Sequence, residues 1–187
     1  MKAIIGISNR HVHLTEEDYK ILFGDEPIGI VKELVQPGQF SSDKKVSIKT
    51  EKNTINNVRL LGPLRNYTQV EVSKTDSYTL GLNPPIRNSG DLEGAAPITI
   101  VGPSGEVTKE CCIIANRHLH ISPSQRQNMG LMGIDKVSIK IDSEKSTILN
   151  DVYIKESKDY TLECHIDTDD GNGSLAVTGE EVEIIIQ

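Results

Sequence analysis

The chain has no tryptophan and only two phenylalanines among its 187 residues. A platform on which nucleobases stack needs aromatic faces, so that mode of nucleic-acid binding is not expected. A basic excess is missing too: 20 Lys and Arg stand against 27 Asp and Glu, a formal charge of −7. Such a chain has no surplus cations to neutralise a nucleic-acid backbone, although a few local arginines suffice for a small anion. Cysteine is scarce, with Cys111 and Cys112 adjacent and Cys164 alone. An odd number without a C-x-x-C spacing makes no disulfide framework and suits buried, inert thiols in a reducing cytoplasm. No hydrophobic run is long enough to span a membrane, and residues 1–7 meet polar Ser8-Asn9-Arg10 too soon for a secretory leader. No glycine-rich strand–helix junction signals a Rossmann or P-loop site.

What the chain does contain is an internal repeat. Ile7-Ser8-Asn9-Arg10-His11-Val12-His13-Leu14 recurs as Ile114-Ala115-Asn116-Arg117-His118-Leu119-His120-Ile121. Lys45-Val46-Ser47-Ile48-Lys49 recurs as Lys136-Val137-Ser138-Ile139-Lys140, and Tyr67-Thr68 with Thr75-Asp76 recurs as Tyr160-Thr161 with Thr168-Asp169. The order is the same in both copies, which indicates a duplicated module with an insertion early in the first. The division expected is residues 1–115 and residues 116–187.

Each copy repeats one plan. A β-rich segment ends in H-x-H, and a short helix follows. Thr15 caps the first helix ahead of acidic Glu16, Glu17 and Asp18, with Gly24 as its stop; Ser122 caps the second, with Pro123 at its first position. Short Val-, Ile- and Thr-rich strands follow, as at residues 68–73, 137–141 and 160–166, separated by Gly, Pro, Asn and Asp clusters. The fold class expected is mainly β: two small barrels from an internal duplication, capped by short helices.

The five histidines carry the chemistry: His11, His13, His118, His120 and His165. Side chains at i and i+2 of a strand share a face, so each H-x-H presents two imidazoles side by side, able to converge on one cation. Imidazole with a carboxylate suits zinc best, with iron, cobalt and manganese open on ligand type. Strand alternation places Arg65, Gln69 and Glu71 on one face, and at an offset of 93 Glu71 falls opposite Cys164, beside His165. Glu71 is therefore the first carboxylate candidate. Glu110 is the second, sharing parity with His118 if the strand is unbroken. Asp167 and Asp169 share parity with His165 but read as turn acids, and Cys164 as a core thiol. Arg65 on the site face suits an anionic reactant, Arg87 is a second candidate, and Arg10 and Arg117 read as salt bridges repeated in the two copies.

Five motifs in order, spanning almost the whole chain, resemble the PduL-type phosphate acyltransferases: Ser8–Leu14, Gly62-Pro63-Leu64-Arg65 with Thr68–Ser73, Pro84-Pro85-Ile86-Arg87, Arg117–His120 and His165–Asp169. The resemblance implies two interleaved barrels with exchanged first strands, a two-zinc site between them, coenzyme A as substrate and a homodimer. It implies that His11 and His13 bind one zinc, that Glu71, His118, His120 and His165 hold the other, and that Arg65 binds phosphate. The implied reaction is acyl-CoA + phosphate ⇌ acyl phosphate + CoA, in a setting such as propanediol degradation. Microcompartment members carry an extension ahead of the first strand, whereas this strand begins near Lys2, so shell association by that route is not expected. A zinc-dependent thioester or amide hydrolase is the rival activity, and a metal-stapled structural protein the rival without catalysis.

Overall fold

The structure is a computed structural model and describes residues 1–186. In chain order the elements are β1 (Lys2–Ser8), β2 (His11–His13), α1 (Glu16–Phe23), β3 (Ile30–Glu33), β4 (Phe40–Lys49), β5 (Thr54–Gly62) and β6 (Gln69–Glu71). Then come α2 (Lys74–Leu80), β7 (Ile86–Arg87), β8 (Ala96–Val101), β9 (Glu106–Ala115), β10 (His118–Ile121) and α3 (Pro123–Asn128). The last are β11 (Lys136–Ile141), β12 (Thr147–Glu156), β13 (Glu163–Asp167), α4 (Thr168–Ser174) and β14 (Glu181–Ile185). No helix among the described residues is long and apolar enough to cross a membrane.

The elements form two compact units. The amino-terminal unit comprises Arg10–Leu34 and Gly38–Ala115; the carboxy-terminal unit comprises Met1–Asn9, Val35–Pro37 and the chain from Asn116 onward. In the carboxy-terminal unit, β1, β13, β10, β12, β11 and β14 close into a six-stranded barrel. In the amino-terminal unit the pairings run β4, β5, β2, β6, β9, β8 and back to β4, a ring of the same size, with β3 and β7 attached. The strand preceding each H-x-H lies in the other unit: β1 pairs with β13 and β14, while β9 pairs with β6 and β8.

Alternation explains the cores. Val12 in β2 and Leu119 and Ile121 in β10 are fully buried, pointing the opposite way from the histidines beside them. Val12 joins Leu14, Leu22, Ile48, Val58, Leu60 and Val70 in one cluster; Leu119 and Ile121 join Ile5, Leu131, Val137, Ile139 and Val152 in the other. Each such side chain contributes about 1.5–3 kcal/mol by leaving water, and together they hold the imidazole pairs to a packed wall.

The helix caps fall where the residues predict. The Thr15 side chain accepts from the Asp18 amide, and Ser122 makes a capping box with Gln125 behind Pro123. Two further helices were not anticipated. The Ser73/Asp76 capping box starts α2, and Asp167 caps α4 across a glycine-containing stretch that reads as turn in the sequence. The cap satisfies an amide that α4 would otherwise leave open, and Gly171 packs against Ile7 where a Cβ would come within 3.0 Å of it.

Candidate active site

The H-x-H segments do not end the strands before them, as the sequence suggests, but form strands of their own. The chain breaks at Asn9-Arg10 and at Asn116-Arg117, and each arginine is tied to a carboxylate in the first turn of a helix. Arg10 bonds Asp76 at 2.8–2.9 Å, and Arg117 grips both oxygens of Asp170 at 2.6 and 2.7 Å. These are the repeated salt bridges expected of that pair. With the strand interrupted, Glu110 loses its parity argument; it is exposed on β9 and belongs to neither histidine group.

In the amino-terminal unit, β2 and β6 run antiparallel with His11 opposite Glu71 and His13 opposite Gln69. All four side chains are buried. His11 Nε2 lies 3.4 Å from Glu71 Oε2, and His13 Nε2 lies 3.9 Å from Glu71 Oε1. His13 Nδ1 faces the Leu61 carbonyl at 3.2 Å, and a carbonyl can only accept, so Nδ1 carries the proton and Nε2 the lone pair. That lone pair faces a carboxylate oxygen across a gap too wide for a hydrogen bond and suited to a cation. Ligand atoms about 2 Å from a zinc ion sit roughly 3–4 Å from one another, and the ligating atoms of His11, His13 and Glu71 all lie within 4.8 Å. Gln69 donates to Glu71 Oε1 at 2.6 Å and is itself held by the Gly90 amide at 2.7 Å, which fixes the carboxylate.

Arg65 reaches this neighbourhood from the segment after β5, anchored by its amide on the Leu14 carbonyl at 2.8 Å. Its guanidinium donates to Tyr67 Oη at 2.6 Å, Ser89 Oγ at 3.3 Å and Gln39 Oε1 at 3.2 Å. These partners are neutral, and among the described residues Arg65 has no ion pair. Arg87 is differently engaged, bonded to the Glu93 carbonyl and 3.8 Å from Asp91.

The carboxy-terminal unit has a matching group. His118 pairs with His165 across β10 and β13, and His120 with Glu163. The imidazoles of His118, His120 and His165 lie with ring centroids 4.7–5.1 Å apart. His165 Nε2 is 2.8 Å from Glu163 Oε2, and the ligating atoms of His120, Glu163 and His165 lie within 4.8 Å of one another. Asp167 and Asp169 are the N-cap and first-turn acids of α4, in keeping with turn acids. Glu163 was missed by the sequence reading, although its i−2 spacing from His165 on one strand was the available signal. The registers also shift the repeat by one residue: Glu71 is the counterpart of His165 (165 less 71 is 94) and not of Cys164, and Gln69 is the counterpart of Glu163.

Burial sets the protonation of the group. It pushes His13 well below the ordinary imidazole value, helped by the charges of His11 and Arg65, and does the same to His118, helped by Lys155 and His165. Burial alone would raise Glu163, but the His165 hydrogen bond and charge, with Gln36, outweigh it and leave its carboxyl below normal. Cys111 and Cys164 are pushed up to about 12 and Cys112 higher still, mainly by burial, so all three are core thiols.

An acid-side stability loss follows. In the metal-free fold His13 and His118 stay neutral below pH 6.5, where the unfolded chain takes up protons. Stability is therefore lost as pH falls through 6.5, by up to about 1.4 kcal/mol per pH unit for each group. Melting temperature in chelator at pH 7.5, 6.5 and 5.5 measures this; a flat profile would contradict the buried neutral imidazoles.

The profile of a family described as phosphate propanoyltransferase matches residues 4–177. A phosphate propanoyltransferase of Thermotoga maritima is 46% identical over 185 residues, covering 97% of this chain and 88% of that protein. Namesakes from Lachnoclostridium phytofermentans and Salmonella typhimurium are each 43% identical, covering 97% and 92% of this chain and 86% and 83% of their own length. With a match of this extent, the chain belongs to the phosphate propanoyltransferase family of acyltransferases.

Proposed function

We propose that this chain transfers a short acyl group between coenzyme A and inorganic phosphate with the help of bound zinc. The observation that carries the reading is Arg65: a half-buried guanidinium with neutral partners, whose charge is felt by His13 in the histidine group. Its planar fork is the natural seat for a phosphate dianion. Gln39, Tyr67 and Ser89 hold the fork in place without neutralising it, which leaves its charge for the nucleophile.

In the forward direction a phosphate oxygen attacks the thioester carbonyl carbon. A C–O bond forms, the C–S bond breaks, and the electron pair leaves with the CoA thiolate. Arg65 brings the phosphate to the carbonyl and offsets the repulsion between its charge and the growing negative charge on the carbonyl oxygen. His11, His13 and Glu71 supply one donor set, and His118, His120 and His165, with Glu163 beside them, supply the other. Zinc bound there supplies positive charge for a carbonyl oxygen and a soft partner for sulfur. The buried neutral state of His13 and His118 keeps their lone pairs available at neutral pH.

The test is CoA release from acetyl-, propionyl- and butyryl-CoA with and without phosphate, alongside elemental analysis of the protein. Release that requires phosphate and yields acyl phosphate, lost on chelation and restored by zinc, is the expected result. Full release without phosphate would instead assign a thioester hydrolase.

A further inference from the structure

Gln36 sits in Val35–Pro37, the three-residue segment that belongs to the carboxy-terminal unit although the chain on either side does not. Its side chain is only 5% exposed. Its Nε2 donates to the Thr161 carbonyl at 3.0 Å, and its Oε1 accepts from the Thr161 amide at 3.2 Å. This two-point grip decides which way the carboxamide faces, because reversing it would set donor against donor and acceptor against acceptor. The remaining N–H is thereby aimed at Glu163 Oε2, 2.8 Å away. The same oxygen lies 2.8 Å from His165 Nε2. Gly6 closes the other side: it pairs with His165, and a Cβ there would lie 2.8 Å from Glu163 Oε1. The carboxylate is thus confined by two other segments of chain and by His165 on its own strand. A side chain needed only to fill space would not call for so directed a set of hydrogen bonds.

We propose that Gln36 is a positioning residue for the metal group of the carboxy-terminal unit, acting through Glu163 on His165. The proposal rests on the metal reading above. Carboxylates at metal sites are aimed by hydrogen bonds of this kind, and removing such a partner typically weakens metal binding about ten- to a hundred-fold. The N–H of Gln36 bonded to Glu163 Oε2 holds the carboxylate in one orientation. Its counterpart function in the other unit is met within the strand pair, where Gln69 donates to Glu71.

The test uses the full-length His11→Ala/His13→Ala protein, in which only the carboxy-terminal group remains, titrated with cobalt(II) and followed by visible absorption. Adding Gln36→Met, which keeps length and volume, is expected to weaken cobalt binding about ten- to a hundred-fold and to change the shape of the d–d band. The far-ultraviolet circular dichroism should remain that of the folded barrel. Glu163→Gln should move the affinity in the same direction through the carboxylate itself, and if Gln36→Met does not fold, Gln36→Leu in the same background decides the matter by the same readout. Unchanged affinity and an unchanged band overturn the role of Gln36 while leaving the metal reading intact. If the His11→Ala/His13→Ala protein binds no cobalt at all, the metal reading of this group falls and the inference falls with it.

Discussion

Arg65→Ala is expected to lower phosphate-dependent CoA release by about a hundred- to a thousand-fold, the usual scale for removing one charged group that acts on the transition state. The guanidinium is half-buried and bonds two hydroxyls and a carboxamide oxygen. Removing it leaves no buried carboxylate without a partner, so the fold should survive, and metal content should match the parent. The loss should appear as a higher KM for phosphate together with a lower kcat, because the proposed role is both to bind the nucleophile and to offset charge during attack. Arg65→Lys retains the charge but not the fork, and should recover only part of the activity. Full turnover in Arg65→Ala would remove the phosphate assignment. Steady-state kinetics with phosphate varied at saturating acyl-CoA decide it.

His13→Ala is expected to bring turnover to background, a loss on the order of a thousand-fold or more, and to lower bound metal by one ion per chain. His13 is 3% exposed, its Nδ1 is committed to Leu61, and its Nε2 faces Glu71. Without it the group keeps His11 and Glu71 only, too few protein ligands for a catalytic zinc, which commonly has three. Stability should fall as well, because the truncation opens a cavity beside a buried carboxylate. Zinc content by elemental analysis and the melting temperature, each compared with the parent, check the two effects separately. A variant with parental metal content and parental turnover would show that this group is not the reaction centre.

Comparison of the two copies shows how the site differs between them. The Arg65 amide bonds the Leu14 carbonyl, and in the second copy the Ser157 amide bonds the Ile121 carbonyl in the same way. The second copy thus has serine where the first has the guanidinium. The duplication supplied two histidine pairs, but a guanidinium stands at this place in only one of them. The carboxylates diverged as well: the site across from the second H-x-H position is Gln69 in one unit and Glu163 in the other.

The sequence by itself determined the mainly β class, the duplication, the pairing of imidazoles in each H-x-H, the helix caps at Thr15 and Ser122, and the distinction of Arg65 from Arg10 and Arg117. Apart from the duplication, which shows in the recurrence of whole motifs, these properties depend on neighbours within one strand or one turn, where period-two alternation and capping geometry leave few choices. Tertiary structure decided what depends on register between strands. Glu163 shares strand parity with His165, but in a chain with 27 acidic residues that spacing alone did not single it out; it became visible when β10 and β13 placed it opposite His120. The one-residue shift that makes Glu71 the counterpart of His165 has the same origin, since a repeat offset read from flanking motifs does not locate an insertion between them. Gln36 was invisible for a stronger reason. It lies in the segment unique to the first copy, and only the folded chain brings it beside Thr161 and Glu163, well over a hundred residues away, where hydrogen-bond direction gives it a role.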